Sequence, residues 1–262
     1  MKYTMKQMAA MFDVTEHTLR YYTDLGLLPC ERDSGNRRMF NEESVNWMQG
    51  IQCLKGCGAS IENIKEYCCL CLLEESQENL QARYAIILKQ RNEAYKRVEE
   101  AKATAKVVAL SAVKYGDLSN QASKDYIFDI DKFTSFEGDT GPYILYTIVR
   151  IKSILAKAKE QGEDLTNLTL KEADTDSQKA LMMTIARFNA MMENAYDEVA
   201  PHKICAYIYD LANALNRFYH ENRILAEEDE TKKRSWLGLL ILTKEILEAC
   251  IDVLGFSAPE RM

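Results

Sequence analysis

Glycine and proline are scarce, at 11 and 4 of 262 residues. With so few chain breakers, and with Ala, Leu, Lys, Glu and Met plentiful, a sandwich of short strands is excluded and long helices are expected. Long apolar runs are missing too. The longest, Trp236 to Leu242, has seven residues against the ~20 that a bilayer crossing needs. Met1 to Ala10 has no signal-like apolar core, so a cytoplasmic protein without a membrane partner is expected. Histidine is nearly absent, and none of the three stands at zinc-ligand spacing from the eight Cys at 30, 53, 57, 68, 69, 71, 205 and 250. Reduced, mostly buried thiols are expected, with no metal and no cofactor. Phosphate-binding GxxxxGK[ST] is also lacking.

What is present suffices for a folded core: 47% of residues are hydrophobic and 28% charged, and the length allows one large domain or two modest ones. The net charge of -7 is unevenly spread. Residues 1–72 carry 8 basic and 9 acidic groups, residues 73–106 carry 7 and 6, and residues 107–262 carry 18 and 25. Indiscriminate nucleic-acid binding is excluded by that total, yet the near-neutral N-terminal third remains open to it. The charged stretch Ala226 to Arg234 reads as a solvated loop between helices.

Thr4 precedes Met5, Met8, Ala9 and Phe12, a helical rhythm that stops at Asp13-Val14, and Thr15 opens a second helix running to about Leu25 before Gly26. Two short helices joined by a tight turn form a helix-turn-helix, whose second helix enters a DNA major groove. At 100° per residue, Thr15, Leu19 and Tyr22 share the core face, while His17, Arg20, Tyr21 and Asp24 face the other way. Arg20 and Tyr21 can donate to phosphate, and His17 or Thr18 could reach a base edge. On an isolated helix these would be plain solvated side chains. Next, however, comes Glu31 to Phe40, a Gly-Asn hairpin that clusters Arg32, Arg37 and Arg38, as a basic wing gripping the backbone would.

The run Thr18-Leu-Arg-Tyr-Tyr-Thr-Asp-Leu-Gly-Leu-Leu-Pro29, followed by Gly35-Asn-Arg-Arg-Met-Phe40, resembles the winged helix-turn-helix of the MerR family. The likeness extends through two more expected helices, roughly Glu42 to Gly56 with Val45, Met48, Ile51 and Leu54 inside, then Ile61 to Leu73. Met39 stands where the family usually has Tyr.

From Leu80 the apolar positions run Leu80, Tyr84, Ile87, Ala94, Val98 and Ala101, with Arg91 in the one missing register. Steps of four and three give a 3.5-residue seam, which predicts a coiled coil with a partner helix. The MerR resemblance implies a homodimer through this helix. Some MerR relatives bind thiophilic metals through Cys near it, but Ser76 and the stretch Ala103 to Lys106 occupy those ligand positions here. Cys68, Cys69 and Cys71 are therefore expected to be structural.

In the last 156 residues, Gly138, Gly141 and Pro142 precede a long apolar helix on which Tyr143 and Arg150 are two turns apart, on one face with Tyr146. An aromatic ring and a guanidinium in line suit unpaired bases, although a helical Tyr is more often partly buried structure. Asp117-Leu-Ser119, Tyr126-Ile-Phe128, Phe136 to Tyr143, Pro201 to Ala212, Phe218-Tyr-His220 and Leu254 to Met262 together resemble the C-terminal DALR-type anticodon-binding bundle of arginyl-tRNA synthetases, from about Val107 onward. The resemblance implies that Tyr143, Arg150, Tyr207 and Met262 contact tRNA. A basic residue that the family places six positions after Arg150 is Ala156 here. The HIGH-like His pair and the KMSKS loop of the synthetases are missing, so no ligase activity is expected.

The fold expected is mainly α: a winged helix-turn-helix head with a small β-hairpin wing (1–73), a coiled-coil dimer helix (74–106) and a helical bundle (107–262). The function expected is a DNA-binding regulator whose bundle senses tRNA, arginine isoacceptors above all. A tRNA-holding accessory protein and a small-molecule sensor on a reused bundle are the alternatives.

Overall fold

Side-chain caps decide where most of the helices begin. In the computed structural model, which describes all 262 residues, Thr4 accepts from the Gln7 N–H while the Gln7 side chain accepts from the Thr4 N–H, closing a capping box on helix α1 (Met5–Met11). Thr15 caps α2 (Glu16–Asp24), Asn41 caps α3 (Glu42–Gly56) and Ser60 caps α4 (Ile61–Cys71). Three short strands, β1 (Tyr3–Thr4), β2 (Glu31–Arg32) and β3 (Arg38–Phe40), form an antiparallel sheet in the order β1-β3-β2. The β2-β3 turn needs a left-handed residue, supplied by Asn36 at φ +60°.

The residues group into two compact units, Met1–Glu100 and Ala101–Met262. In the first, Met8, Leu19, Tyr22, Leu27, Leu28, Phe40, Met48, Ile51 and Ile64 make the core. Leu19 and Tyr22 take the core face expected of them, but Thr15 is an exposed cap. Its hydroxyl accepts from the Thr18 backbone N–H at the helix start, which keeps it at the surface.

Helix α5 runs Gln77–Leu118, beyond the end near 106 that the sequence suggests. The continuation has a reason: Tyr115 is buried in the hydrophobic core of the second unit, and Val107 and Val108 pack against that core. After the short α6 (Ile130–Phe133), that unit is built from α7 (Gly141–Glu160), α8 (Asp176–Ala186), α9 (Phe188–Asp197), α10 (Pro201–Glu221) and α11 (Glu230–Val253). Helix α10 packs against α7, α8, α9 and α11, and α11 packs against α7. The stretch that reads as a solvated loop is helical from Glu230, because Asp229 caps α11 there. Its charges are held: Lys233 pairs with Glu163 at 3.1 Å, and Arg234 donates to the carbonyls of Asp164 and Thr166.

The cysteines depart from the expectation of mostly buried thiols. Cys68, Cys205 and Cys250 are buried, Cys53, Cys57 and Cys69 are exposed, and Cys30 and Cys71 lie between. Successive helical residues turn by 100°, so 68, 69 and 71 cannot share one core face. Burial pushes the Cys68 thiol up to about 11 and those of Cys205 and Cys250 up to about 12. With a thiol alkylating agent at pH 8, Cys53, Cys57 and Cys69 should react first, and Cys68, Cys205 and Cys250 only on unfolding. Peptide mapping over time reads the order, and Cys205 labelled as fast as Cys69 would contradict the packing. No helix is long and apolar enough to cross a membrane.

Candidate nucleic-acid interfaces

Burying Leu19 and Tyr22 turns His17, Arg20 and Tyr21 of α2 outward: His17 and Arg20 are exposed, as is Tyr21, while Thr18 is half-buried, with its hydroxyl 2.9 Å from that of Thr15. Three DNA-facing candidates carry acidic partners of their own. Arg20 pairs with Glu16 at 3.5 Å, Arg37 with Asp33 at 3.1 Å, and Arg38 with Asp24. Arg32 instead donates to the backbone and side-chain oxygens of Asn36, at 3.0 and 3.1 Å, which stiffens the hairpin. The Arg37 backbone N–H, donating to Asp33, holds that carboxyl below its usual range against the opposing effect of burial.

Helix and wing together frame a cleft of about 580 Å³ lined by Arg20, Arg32, Arg37 and Arg38, with Glu16 and Asp33 in the same wall. Lys6 of α1 lines it too and carries no mark in the sequence, since only the folded sheet brings α1 beside the wing. The cleft unites four of the seven candidates; His17, Thr18 and Tyr21 lie outside it.

In the second unit, Thr140 caps α7 and Pro142 occupies its first turn, so the helix starts in register to place Tyr143 and Arg150 two turns apart. The Tyr143 hydroxyl donates to Asn213 Oδ1 at 2.8 Å and accepts from Asn216 Nδ2 at 2.6 Å. Arg150 Nη1 donates to Asn216 Oδ1 at 3.1 Å, and its guanidinium lies 4.3 Å from the centre of the Tyr219 ring. Burial raises the Tyr143 hydroxyl above the ordinary phenol range, and the Asn216 bond opposes this. Tyr146 on the same helix is exposed.

Tyr207 is a correction. It is 5% exposed, its ring tilts against Phe188, and its hydroxyl donates to the Thr184 carbonyl at 3.2 Å. Burial pushes that hydroxyl up to about 12. The side chain belongs to the core and cannot stack on RNA. Tyr209, two residues on along α10, meets Tyr143 edge-on at 5.8 Å and takes the half-buried position beside it instead. Met262 is exposed, at the end of a tail whose Glu260 pairs with Lys152 at 2.7 Å. Ala156 lines a cleft of about 780 Å³ that holds Lys152, Lys159 and Lys244 together with Glu163, Asp164, Glu248 and Glu260, so the position where a basic side chain was expected sits in a mixed-charge wall.

Comparison with known proteins divides the chain as the two sites do. A model of the MerR HTH family regulatory proteins matches residues 3–69, and a model of the DALR anticodon binding domain matches residues 144–262. The arginine--tRNA ligase of Agathobacter rectalis is 68% identical over 165 residues, 62% of this chain and 28% of the ligase. That of Alkaliphilus oremlandii is 50% identical over 155 residues, 59% of this chain and 26% of the ligase. The solved arginyl-tRNA synthetase of Thermus thermophilus superposes with a TM-score of 0.55 at 31% identity, over 60% of this chain and 27% of that one. The chain thus spans little more than a quarter of the length of these relatives. It joins a MerR-type helix-turn-helix head to an arginyl-tRNA-synthetase-like DALR anticodon-binding bundle.

Proposed function

We propose that this protein is a homodimeric transcription regulator that binds promoter DNA through its first unit and tRNA, arginine isoacceptors foremost, through its second. The observation that carries the DNA reading is the arginine-lined cleft between α2 and the wing, on a head matched by a family of regulatory proteins. His17 and Thr18, beside the cleft on α2, are the residues proposed to meet base edges. On this reading 1–73 is the reading head, 74–106 the dimer helix and 107–262 the sensor, without catalytic activity. Pairing through α5 is supported by the exposure of Leu80, Tyr84, Ile87 and Val98 along the expected seam. Ile87→Asp should convert dimer to monomer in sedimentation equilibrium, and a dimer of undiminished strength would remove α5 from the interface.

Selection of bound duplexes from a random pool should yield a palindromic site. Arg20→Ala, or Arg37→Ala with Arg38→Ala, should weaken binding to all sequences and lower the salt slope by about one for each phosphate no longer neutralised. An unchanged slope would sink the phosphate assignment. For RNA, the supporting observation is the Tyr143, Asn216, Arg150 and Tyr219 cluster on a DALR-type bundle. Binding should be weak and fall with salt, since residues 107–262 carry 25 acidic against 18 basic groups. Gel shifts with arginine tRNA, an anticodon-swapped version and an unrelated tRNA test it. Equal binding of all three, or none at low salt, would favour a sensor of small molecules.

A further inference from the structure

Eleven consecutive residues, Tyr126 to Phe136, carry six large apolar side chains, and five of them face solvent. Ile127 is 89% exposed and Ile130 64%, with Tyr126, Phe128 and Phe136 also in water. The sixth, Phe133, is half-buried and tacks the stretch to the bundle: its ring lies against Gly116 of α5, where an added Cβ would stand 2.6 Å from it. Tyr126 and Phe128 lean on that ring at 5.9 and 5.0 Å, and the Tyr126 hydroxyl donates to Asp117 at 2.9 Å. The apolar tips are thereby held in place in solvent.

The stretch stands as a ridge between two clefts. One, of about 530 Å³, reaches Val113, Leu118 and Leu254, the other, of about 510 Å³, reaches Gly116 and Asn120, and Tyr126 lines both. A fixed apolar ridge with room on either side offers preordered anchors to whatever covers it. Its charges narrow the choice. Residues 117–139 hold six carboxylates, Asp117, Asp125, Asp129, Asp131, Glu137 and Asp139, against Lys124 and Lys132 alone, and none of these groups makes an ion pair. That excess repels phosphate, which argues against a nucleic acid or an anionic lipid surface. Strand addition is excluded as well, because the one sheet, β1-β3-β2, belongs to the first unit and offers no edge here.

We propose that this ridge docks a separate protein through a helix whose apolar face is flanked by Lys and Arg, with Ile127 and Ile130 as the anchors. Burial of the apolar tips supplies the hold, while the acidic rim selects basic flanks and steers their approach. The proposal is independent of the RNA reading, since it uses none of the residues assigned there.

The test uses the full chain and three fluorescein-labelled synthetic peptides: a helix with a leucine face flanked by lysine, the same helix with glutamate for lysine, and a leucine-lysine peptide of identical composition whose shuffled order has no apolar face. In fluorescence anisotropy the first should bind, and the glutamate helix at least about tenfold more weakly. Ile127→Ser with Ile130→Ser should weaken binding of the leucine-lysine helix at least about fivefold, the effect of losing interface anchors. Asp125→Asn with Asp131→Asn should weaken it less and lower its salt dependence. Tyr196→Ser, which removes an 84% exposed ring from α9, should change nothing. All these positions are exposed, and thermal melts establish that each variant is folded. Equal binding of the lysine and glutamate helices overturns the charge assignment. Equal binding of the shuffled peptide, no binding of the leucine-lysine helix, or undiminished binding by the isoleucine variant overturns the docking ridge. In sedimentation equilibrium the isoleucine variant should match the wild type, and a weakened dimer would assign the ridge to a second copy of this chain and overturn the separate partner.

Discussion

Gly141→Ala is expected to destabilise the second unit by about 3 kcal/mol, the upper end of ordinary overpacking effects. The glycine is the first residue of α7, and a Cβ there would stand 2.2 Å from the Ser111 carbonyl oxygen, 2.6 Å from its carbon and 3.0 Å from Tyr115 Cβ. Two of those three atoms are backbone of α5, so no side chain can swing aside; α5 and α7 must part. Parting them disturbs the buried Tyr115, whose hydroxyl donates to Asp139 and to the Cys205 carbonyl. Urea titration monitored by circular dichroism measures the shift. Gly50→Ala is the control of opposite sign: it lies inside α3 with nothing within 4 Å of the added carbon, and there Ala should gain about 0.5 to 1 kcal/mol. A Gly141→Ala protein as stable as the wild type would mean that α5 and α7 do not approach so closely.

Phe218→Ala should cost about 3 to 5 kcal/mol, the range for emptying a fully buried aromatic site. Phe218 is 0% exposed and meets Trp236 edge-on at 5.7 Å, joining α10 to α11 within the second core. Its neighbours on α10 give the substitution a second consequence. Asn216 and Tyr219 flank it, so a partly collapsed cavity would move the residues that orient Arg150. Stability and RNA affinity should therefore fall together. Phe218→Leu, which refills most of the volume, should recover much of both. Intact RNA binding in a markedly destabilised Phe218→Ala protein would show that α10 keeps its place without the ring.

Much of the head is legible in sequence because its signals are local. The interval Val45, Met48, Ile51 and Leu54, together with the MerR resemblance, marks α3 at the bounds the structure gives, Glu42–Gly56. The wing follows from Asn36 and the arginines around it. Two misreadings show where local signals fail. The charges of 230–234 look like a loop until their partners at 163–166 are brought alongside, a pairing some 70 residues apart. Tyr207 as an RNA contact rests on a resemblance, but α10 itself marks it as core: Ile204, Ile208, Leu211 and Leu215 lie three, one, four and eight residues away and are all buried. The polar series Asn213, Asn216 and His220 marks the other face, with Tyr209 beside it. Lys6 and Asn216 carry no such signal, for each matters only through a group on another element.

On the proposed DNA reading, the paired arginines of the head change what docking amounts to. Arg20, Arg37 and Arg38 each already hold a carboxylate, so a phosphate arriving at the cleft must displace Glu16, Asp33 or Asp24. These pairs are mostly solvent-exposed, and such pairs are worth only about 0 to 1 kcal/mol each, so the exchange is readily made. It nevertheless subtracts from every contact and leaves the released carboxylate beside an incoming anion. The surface then works like an ion exchanger with internal counterions. A backbone that reaches one arginine gains little, whereas one whose spacing and curvature reach all three at once crosses the threshold. If the head binds DNA as proposed, selectivity for a particular duplex shape is thereby expected before any base edge is touched.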